Sequence, residues 1–228
     1  MMTLQGHRGY RFGSVRGLTR PQMDRLAEYF QMPAQNARSR LGGRTGAQTA
    51  EIKGLGKVVI KTYFRGGLLG RVIEQTYLGM GPCRGRAEFE MLNRSRALGV
   101  HAPTPVAFAS KGRFLQNTWL VTRQIENART LSELAMADEK AAEQILPAVA
   151  GQVRRLIQNR ILHVDLHPGN ILVNDCGRVY IIDFDKAIQT RDDAARLQQR
   201  YIRRWQRAVI KHELPLSLNP LFRHSPGG

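Results

Sequence analysis

Apolar residues return every three or four positions in some stretches of this chain, and in others they run together between glycines. Met23, Leu26, Ala27 and Phe30 share one face of a helix that Thr19 and Pro21 begin and Pro33 ends. From Leu41 the pattern shifts to short β-prone runs: a strand entering Gly42-Gly43, another over 47–52, a turn at 54–56 and a third strand over 58–64. Residues 65–85 read as a Gly- and Arg-rich connector, partly helical around 69–77. A firmer helix follows over 86–98, with Phe89, Leu92 and Ala97 inward and Gly99 as its cap. A T-W-L-V-T strand and a linker at 124–129 lead into a helical half. That half holds a short helix at 131–137 and a longer one opened by Pro147, with Val149, Val153, Leu156 and Ile157 in register. It closes with a basic helix over 192–211 and a loose tail. Two short strands, 171–173 and 179–182, flank an Asp175-Cys176-Gly177 turn.

A strand-rich first half joined by one linker to a helical second half predicts an α+β chain of two lobes. Their expected extents are a basic N-terminal extension over 1–40, an antiparallel-sheet lobe with one main helix over 41–125, and a mostly helical lobe over 126–228. A cleft between two such lobes is where a ligand is expected. The chain has 228 residues, enough to bury a core, and its 42% hydrophobic content is ordinary. Its charge is not ordinary. Thirty-five Lys and Arg against 18 Asp and Glu give a formal +17, a field that draws nucleic acid, an anionic membrane surface or a phosphorylated substrate. No apolar run approaches the roughly 20 residues of a membrane span, and the N-terminus has no apolar signal core. Cys83 and Cys176 form neither a disulfide framework nor a ligand cluster and read as reduced thiols.

The chemistry concentrates in 163–185, HVDLHPGNILVNDCGRVYIIDFD. An H-x-D-x-x-x-x-N run is followed by two apolar runs and D-F-D, the offsets of a phosphotransfer site. Asp165 is the candidate catalytic residue, receiving the proton of an attacking hydroxyl. Asn170 and Asp183 are the candidate Mg²⁺ ligands on the phosphates of ATP. Upstream, Lys61 ends V-V-I-K, and strand alternation puts Val59 and Lys61 on one face. From there Lys61 reaches α and β phosphates while Val59, with Leu172 from the later strand, lines the nucleotide pocket. A lysine in a cleft needs an opposite charge. Glu88 and Glu90 are the two candidates, about 200° apart around a helix; Glu88, beside Phe89 and Leu92, is the choice. Gly42, Gly43 and Gly46 stand where a loop would cover the phosphates with backbone N–H groups. His163 reads as structural, bonding the backbone near Asp183, and His167 as either a phosphate neighbour or a solvent-facing loop residue.

The segments GGRTGAQTAEIKG, VIKTYFRGGLLGRV, AEFEMLNRSRALGVHAPTPVA, TRQIENARTLSEL and HVDLHPGNILV…VYIIDFDKA resemble the lipopolysaccharide core kinases, in their branch that phosphorylates 3-deoxy-D-manno-octulosonic acid (Kdo). The resemblance covers about 41–187. It implies a bilobal protein-kinase-like fold and ATP-dependent phosphorylation of a Kdo hydroxyl on the lipid A precursor. It further implies peripheral placement on the cytoplasmic face of a Gram-negative inner membrane, and it supports Glu88. Arg65, Arg71, Arg84 and Arg86 are expected near the cleft's rim. Arg196, Arg200, Arg203, Arg204 and Arg207, beside Tyr201 and Trp205, suit an anionic membrane interface. Two other readings stand beside this one: the same chemistry on another sugar, small molecule or protein, and a non-catalytic kinase-shaped module binding nucleic acid. No RNA-binding signature and no activation segment of protein-kinase length appear in the sequence.

Overall fold

The computed structural model describes residues 2–32, 46–63, 83–112 and 117–222. The expected strand at Gly42-Gly43, the stop at Pro33, most of the 65–85 connector with Arg65 and Arg71, and the last tail residues lie outside them. The fold mixes an antiparallel sheet with five α-helices among the described residues. It divides into two compact units, Met1–Glu90 with Thr104–Gln124, and Met91–Pro103 with Ile125–Gly228.

The first unit is built on a six-stranded sheet. Its strands are β1 (Thr3–His7), β2 (Tyr10–Ser14), β3 (Gly46–Ile52), β4 (Gly56–Tyr63), β5 (Pro105–Lys111) and β6 (Asn117–Arg123). They run in the order β1-β2-β5-β6-β4-β3 with every pair antiparallel. The first two strands belong to the region set apart as a basic extension. They join through a two-residue turn in which Arg8 and Gly9 both carry positive φ, 48° and 77°, the twist a tight hairpin needs. Arg8 holds that conformation with its Nε 2.7 Å from Asp24, which also bonds His7 at 2.7 Å.

Asp24 lies on α1 (Arg20–Gln31), whose Met23, Leu26, Ala27 and Phe30 are buried as the helical spacing predicts. They share one core with Phe12, Val58, Ile60, Trp119 and Val121, and Phe30 stacks on Trp119 at 4.6 Å. Strand alternation then turns Val59 and Lys61 away from that core. On α2 (Arg84–Ala97), Phe89 meets Phe108 edge-on at 5.3 Å. The first turn of α2 lies so close to β6 that a Cβ on Gly85 would sit 2.7 Å from the Trp119 carbonyl oxygen. Ala97, expected inward, is exposed, and Ser95 takes the buried position instead. Gly99 does cap the helix: at φ 80° it lets Val100 N–H reach Ser95 and its own N–H reach Arg96.

The second unit is mostly helical. β7 (Ala128–Thr130) leads into α3 (Leu131–Ala137), opened by a capping box between Thr130 and Glu133. Next comes α4 (Glu139–Gln158), which starts at Asp138, whose carboxylate accepts from Ala141 N–H at 3.0 Å. Pro147 therefore lies inside α4 rather than opening it. Proline removes one helical hydrogen bond, but Ala142 and Leu146 before it and Val149 and Val153 after it continue one buried stripe. Burial on both sides carries the helix through.

β8 (Ile161–Leu162), β9 (Ile171–Asn174), β10 (Val179–Ile181) and β11 (Ile188–Gln189) are short, β9 pairing with β7 and β10 and β8 with β11. The last helix, α5 (Ala194–Lys211), is capped by Asp193 and buries Leu197, Tyr201, Trp205, Ala208 and Val209. No described helix is long and apolar enough to cross a membrane. Both cysteines are free.

Candidate active site

In the first unit, Lys61 on β4 points its ammonium at Glu88 on α2, Nζ to Oε2 2.9 Å. Glu88 is 2% exposed, so its charge is stabilised only by close partners. Tyr63, two residues past Lys61 on the same strand face, supplies a second one: its hydroxyl donates to the same Oε2. Its ring also lies under the Lys61 ammonium at 5.1 Å. Glu90 bonds Arg86 at 2.8 Å on the exposed side of α2. The two glutamates thus face different surroundings, and the inward one holds the lysine. Val59 is half-buried on the Lys61 face. Gly46 begins β3 opposite Thr62. Gly42 and Gly43 lie outside the described residues.

In the second unit, the loop after β8 is built around a buried imidazole. His163 is 1% exposed and its Nε2 donates to the Ile182 carbonyl at 2.9 Å, next to Asp183. Its backbone N–H donates to the Tyr201 hydroxyl at 2.8 Å, which in turn donates to the Ile161 carbonyl at 2.7 Å. Burial drives the His163 pKa down to about 4, so near neutral pH it is uncharged and acts as a brace. His167 caps a 3₁₀ turn at Pro168–Asn170, its Nδ1 accepting from Gly169 N–H at 3.0 Å. Burial, then the nearby His212, lowers its pKa as well.

Hydrogen bonds tie two of the sequence-predicted residues of this unit, Asp165 and Asn170, to each other and to Ile182, which precedes the third, Asp183. The Asn170 side-chain amide donates to the Asp165 carbonyl at 2.9 Å, and the Asn170 carbonyl accepts from Ile182 N–H at 3.0 Å. With Nδ2 so used, Oδ1 is the Asn170 atom left to meet a cation. Asp183 follows directly at φ 65°, a left-handed conformation that aspartate tolerates better than most residues and that costs energy unless neighbours impose it. Here Ile182 is tied to Asn170 on one side and Phe184, 1% exposed, is packed edge-on to His163 at 4.9 Å on the other. Leu172 projects from β9 on the face opposite the buried Ile171 and Val173.

One partner was not legible in the sequence. Arg204 of α5 forms an ion pair with the Asp165 carboxylate. Its neighbours Tyr201 and Trp205, read as aromatics of a membrane interface, are instead buried, the indole N–H donating to the Leu218 carbonyl at 2.7 Å. Their spacing of four matches a core stripe as well as a surface one, and the flanking arginines masked it.

The His163 shift has a measurable consequence. Its native pKa lies below the ordinary 6.5, so below that value the unfolded chain binds a proton that the folded chain refuses. Stability is therefore full above pH 6.5 and falls as pH drops toward 4, by about 3 kcal/mol in all. Urea midpoints taken across that window should show this acid limb, and His163→Gln should flatten most of it. An unchanged limb in the variant would assign it to other groups.

The sequence profile of the lipopolysaccharide kinase (Kdo/WaaP) family matches residues 30–217. A protein of Photobacterium damsela subsp. piscicida described as 3-deoxy-D-manno-octulosonic acid kinase is 32% identical over 160 residues, 68% of this chain and 65% of its own length. One of the same description from Vibrio cholerae serotype O1 is 31% identical over 64% of each chain. Another, from Xanthomonas axonopodis pv. citri, is 32% identical over 75% of this chain and 68% of its own length. The chain thus spans just under two thirds of the length of the first two relatives. Because the profile matches residues 30–217, more than half of the chain, the chain belongs to the lipopolysaccharide kinase (Kdo/WaaP) family.

Proposed function

We propose that the chain is an ATP-dependent kinase of the protein-kinase-like type that phosphorylates a hydroxyl of Kdo on a lipid A precursor. The observation that carries this reading is the hydrogen-bond chain from Asp165 through Asn170 to the residue before Asp183. It ties the main chain of Asp165 to Asn170 and Asn170 to the neighbour of Asp183, which supports a reading in which one carboxylate serves the acceptor hydroxyl and an amide oxygen with a second carboxylate serves a cation. The descriptions of the relatives, 3-deoxy-D-manno-octulosonic acid kinase, supply the acceptor.

In this scheme the Asp165 carboxylate takes the proton as the hydroxyl oxygen bonds the γ-phosphorus, and the bond to the bridging oxygen breaks to release ADP. Lys61, held by Glu88, fixes the nucleotide phosphates; of the glycines expected to cover them, Gly46 begins β3, and Gly42 and Gly43 lie outside the described residues. Val59 and Leu172 line the base. Asn170 and Asp183 would hold Mg²⁺, which neutralises charge on the β and γ phosphates. An amide oxygen and a carboxylate oxygen suit that ion, because Mg²⁺ takes one or two protein oxygens and completes its shell with water and phosphate. No cluster of three His, Cys, Asp or Glu occurs among the described residues, and this arrangement needs none.

The acceptor lies in a membrane, so the +17 charge would hold the protein peripherally on the anionic cytoplasmic face of the inner membrane. Mass spectrometry of a Kdo-bearing lipid A precursor incubated with the protein, ATP and Mg²⁺ tests the reading. One added phosphate on the Kdo residue is expected, faster on anionic than on neutral vesicles. Transfer only to other sugars or proteins in the same panel would refute the acceptor, and equal rates on both vesicles would remove the surface attraction.

A further inference from the structure

Arg200, Arg203, Arg204 and Arg207 recur at i, i+3, i+4 and i+7 and so share one face of α5. They line a cavity of about 660 Å³ whose other wall is Leu162, His163 and Val164, the residues leading directly to Asp165. A run of arginines on a helix is ordinarily a solvated face, but here it forms the wall of a concavity, and its charges are only half matched. Arg200 pairs with Asp192 at 2.6 Å and Arg204 with Asp165. Among the described residues Arg203 and Arg207 reach only main-chain carbonyls, of Gln199 at 3.4 Å and of Arg203 at 3.3 Å. Neither pairs with a carboxylate among the described residues. The Nε of Arg204 is buried without a hydrogen-bond partner among the described residues. Like charges one turn apart repel, so this wall is a standing demand for anions. The planar guanidinium fork fits carboxylate and phosphate oxygens two at a time.

We infer that this cavity is the subsite that recognises carboxylate or phosphate groups carried by the acceptor. The inference rests on the kinase reading for the role of Asp165. Anions entering the cavity bind Arg203 and Arg207 and compete with Asp165 for Arg204. The same event that seats the acceptor beside Asp165 therefore releases the carboxylate that must receive its proton. Without acceptor, Asp165 stays paired with Arg204 and is not free to take a proton from a water molecule.

Titration calorimetry in nonionic detergent, with the Kdo-bearing lipid A precursor and no nucleotide, tests this on wild type and on the double variant Arg203→Gln/Arg207→Gln. Both side chains are exposed, so the substitutions leave the core intact. The double variant should bind the precursor at least about tenfold more weakly, the loss expected from removing charge-assisted hydrogen bonds, with ATP affinity unmoved. Repeating the titration with a dephosphorylated precursor and with one whose Kdo carboxyl is reduced to an alcohol tells which anion the arginines read. The acceptor that no longer distinguishes wild type from variant lacks it. Arg204→Gln should raise ATP hydrolysis several-fold in the absence of acceptor. Equal binding by wild type and double variant, or no binding by wild type, overturns the subsite, and unchanged hydrolysis in Arg204→Gln overturns the release step. Arginine-dependent binding without phosphate transfer leaves the subsite standing and removes the kinase reading.

Discussion

Asp165→Ala is expected to abolish phosphoryl transfer while leaving ATP binding and the fold in place. A positioned general base contributes about 10²–10⁴-fold, and a single-turnover assay with saturating nucleotide should show a loss of that order. The carboxylate is 41% exposed and its ion pair with Arg204 is open to solvent, so the melting temperature should barely move. Asp183→Ala differs in kind: it removes a proposed cation ligand, so nucleotide binding in the presence of Mg²⁺ should weaken together with turnover. Undiminished transfer by Asp165→Ala would falsify its assignment as base.

Glu88→Ala should be the most damaging change for the first unit, because it strips Lys61 and Tyr63 of their common acceptor. Side chains 13% and 3% exposed hold this pair, and breaking a buried ion pair from one side typically costs about 3–5 kcal/mol. The double variant Lys61→Met/Glu88→Leu separates packing from function. Apolar replacement of both charges often restores stability, so its denaturation midpoint should return most of the way to wild type. Phosphoryl transfer should stay lost, since no ammonium remains for the phosphates. Recovery of activity with stability would mean that Lys61 matters only for folding.

Periodicity was enough wherever one element buries one face. The α1 stripe and the alternation along β4, with Val58 and Ile60 in the core and Lys61 turned away, follow from spacing alone. The pairing of Lys61 with Glu88 followed from asking what a half-buried ammonium needs. The β1–β2 hairpin escaped because its turn is Arg-Gly, and the positive φ of Arg8 is held by an ion pair to Asp24 that no local pattern signals. Pro147 misled for a related reason: the start signal lay at Asp138, and packing outweighed the proline. Arg204 and Asp165 meet through the return of α5 onto the β8 loop, a tertiary event with no local trace.

The Tyr201 phenol gives α5 a part in the timing of assembly. It bridges the Ile161 carbonyl and the His163 N–H, partners 40 and 38 positions earlier in the chain. Both main-chain groups belong to buried residues, and a buried main-chain group needs a hydrogen-bond partner. On the ribosome they emerge well before the phenol does, so the nascent polypeptide carries an unfinished β8–β9 loop until α5 has been translated and has folded back.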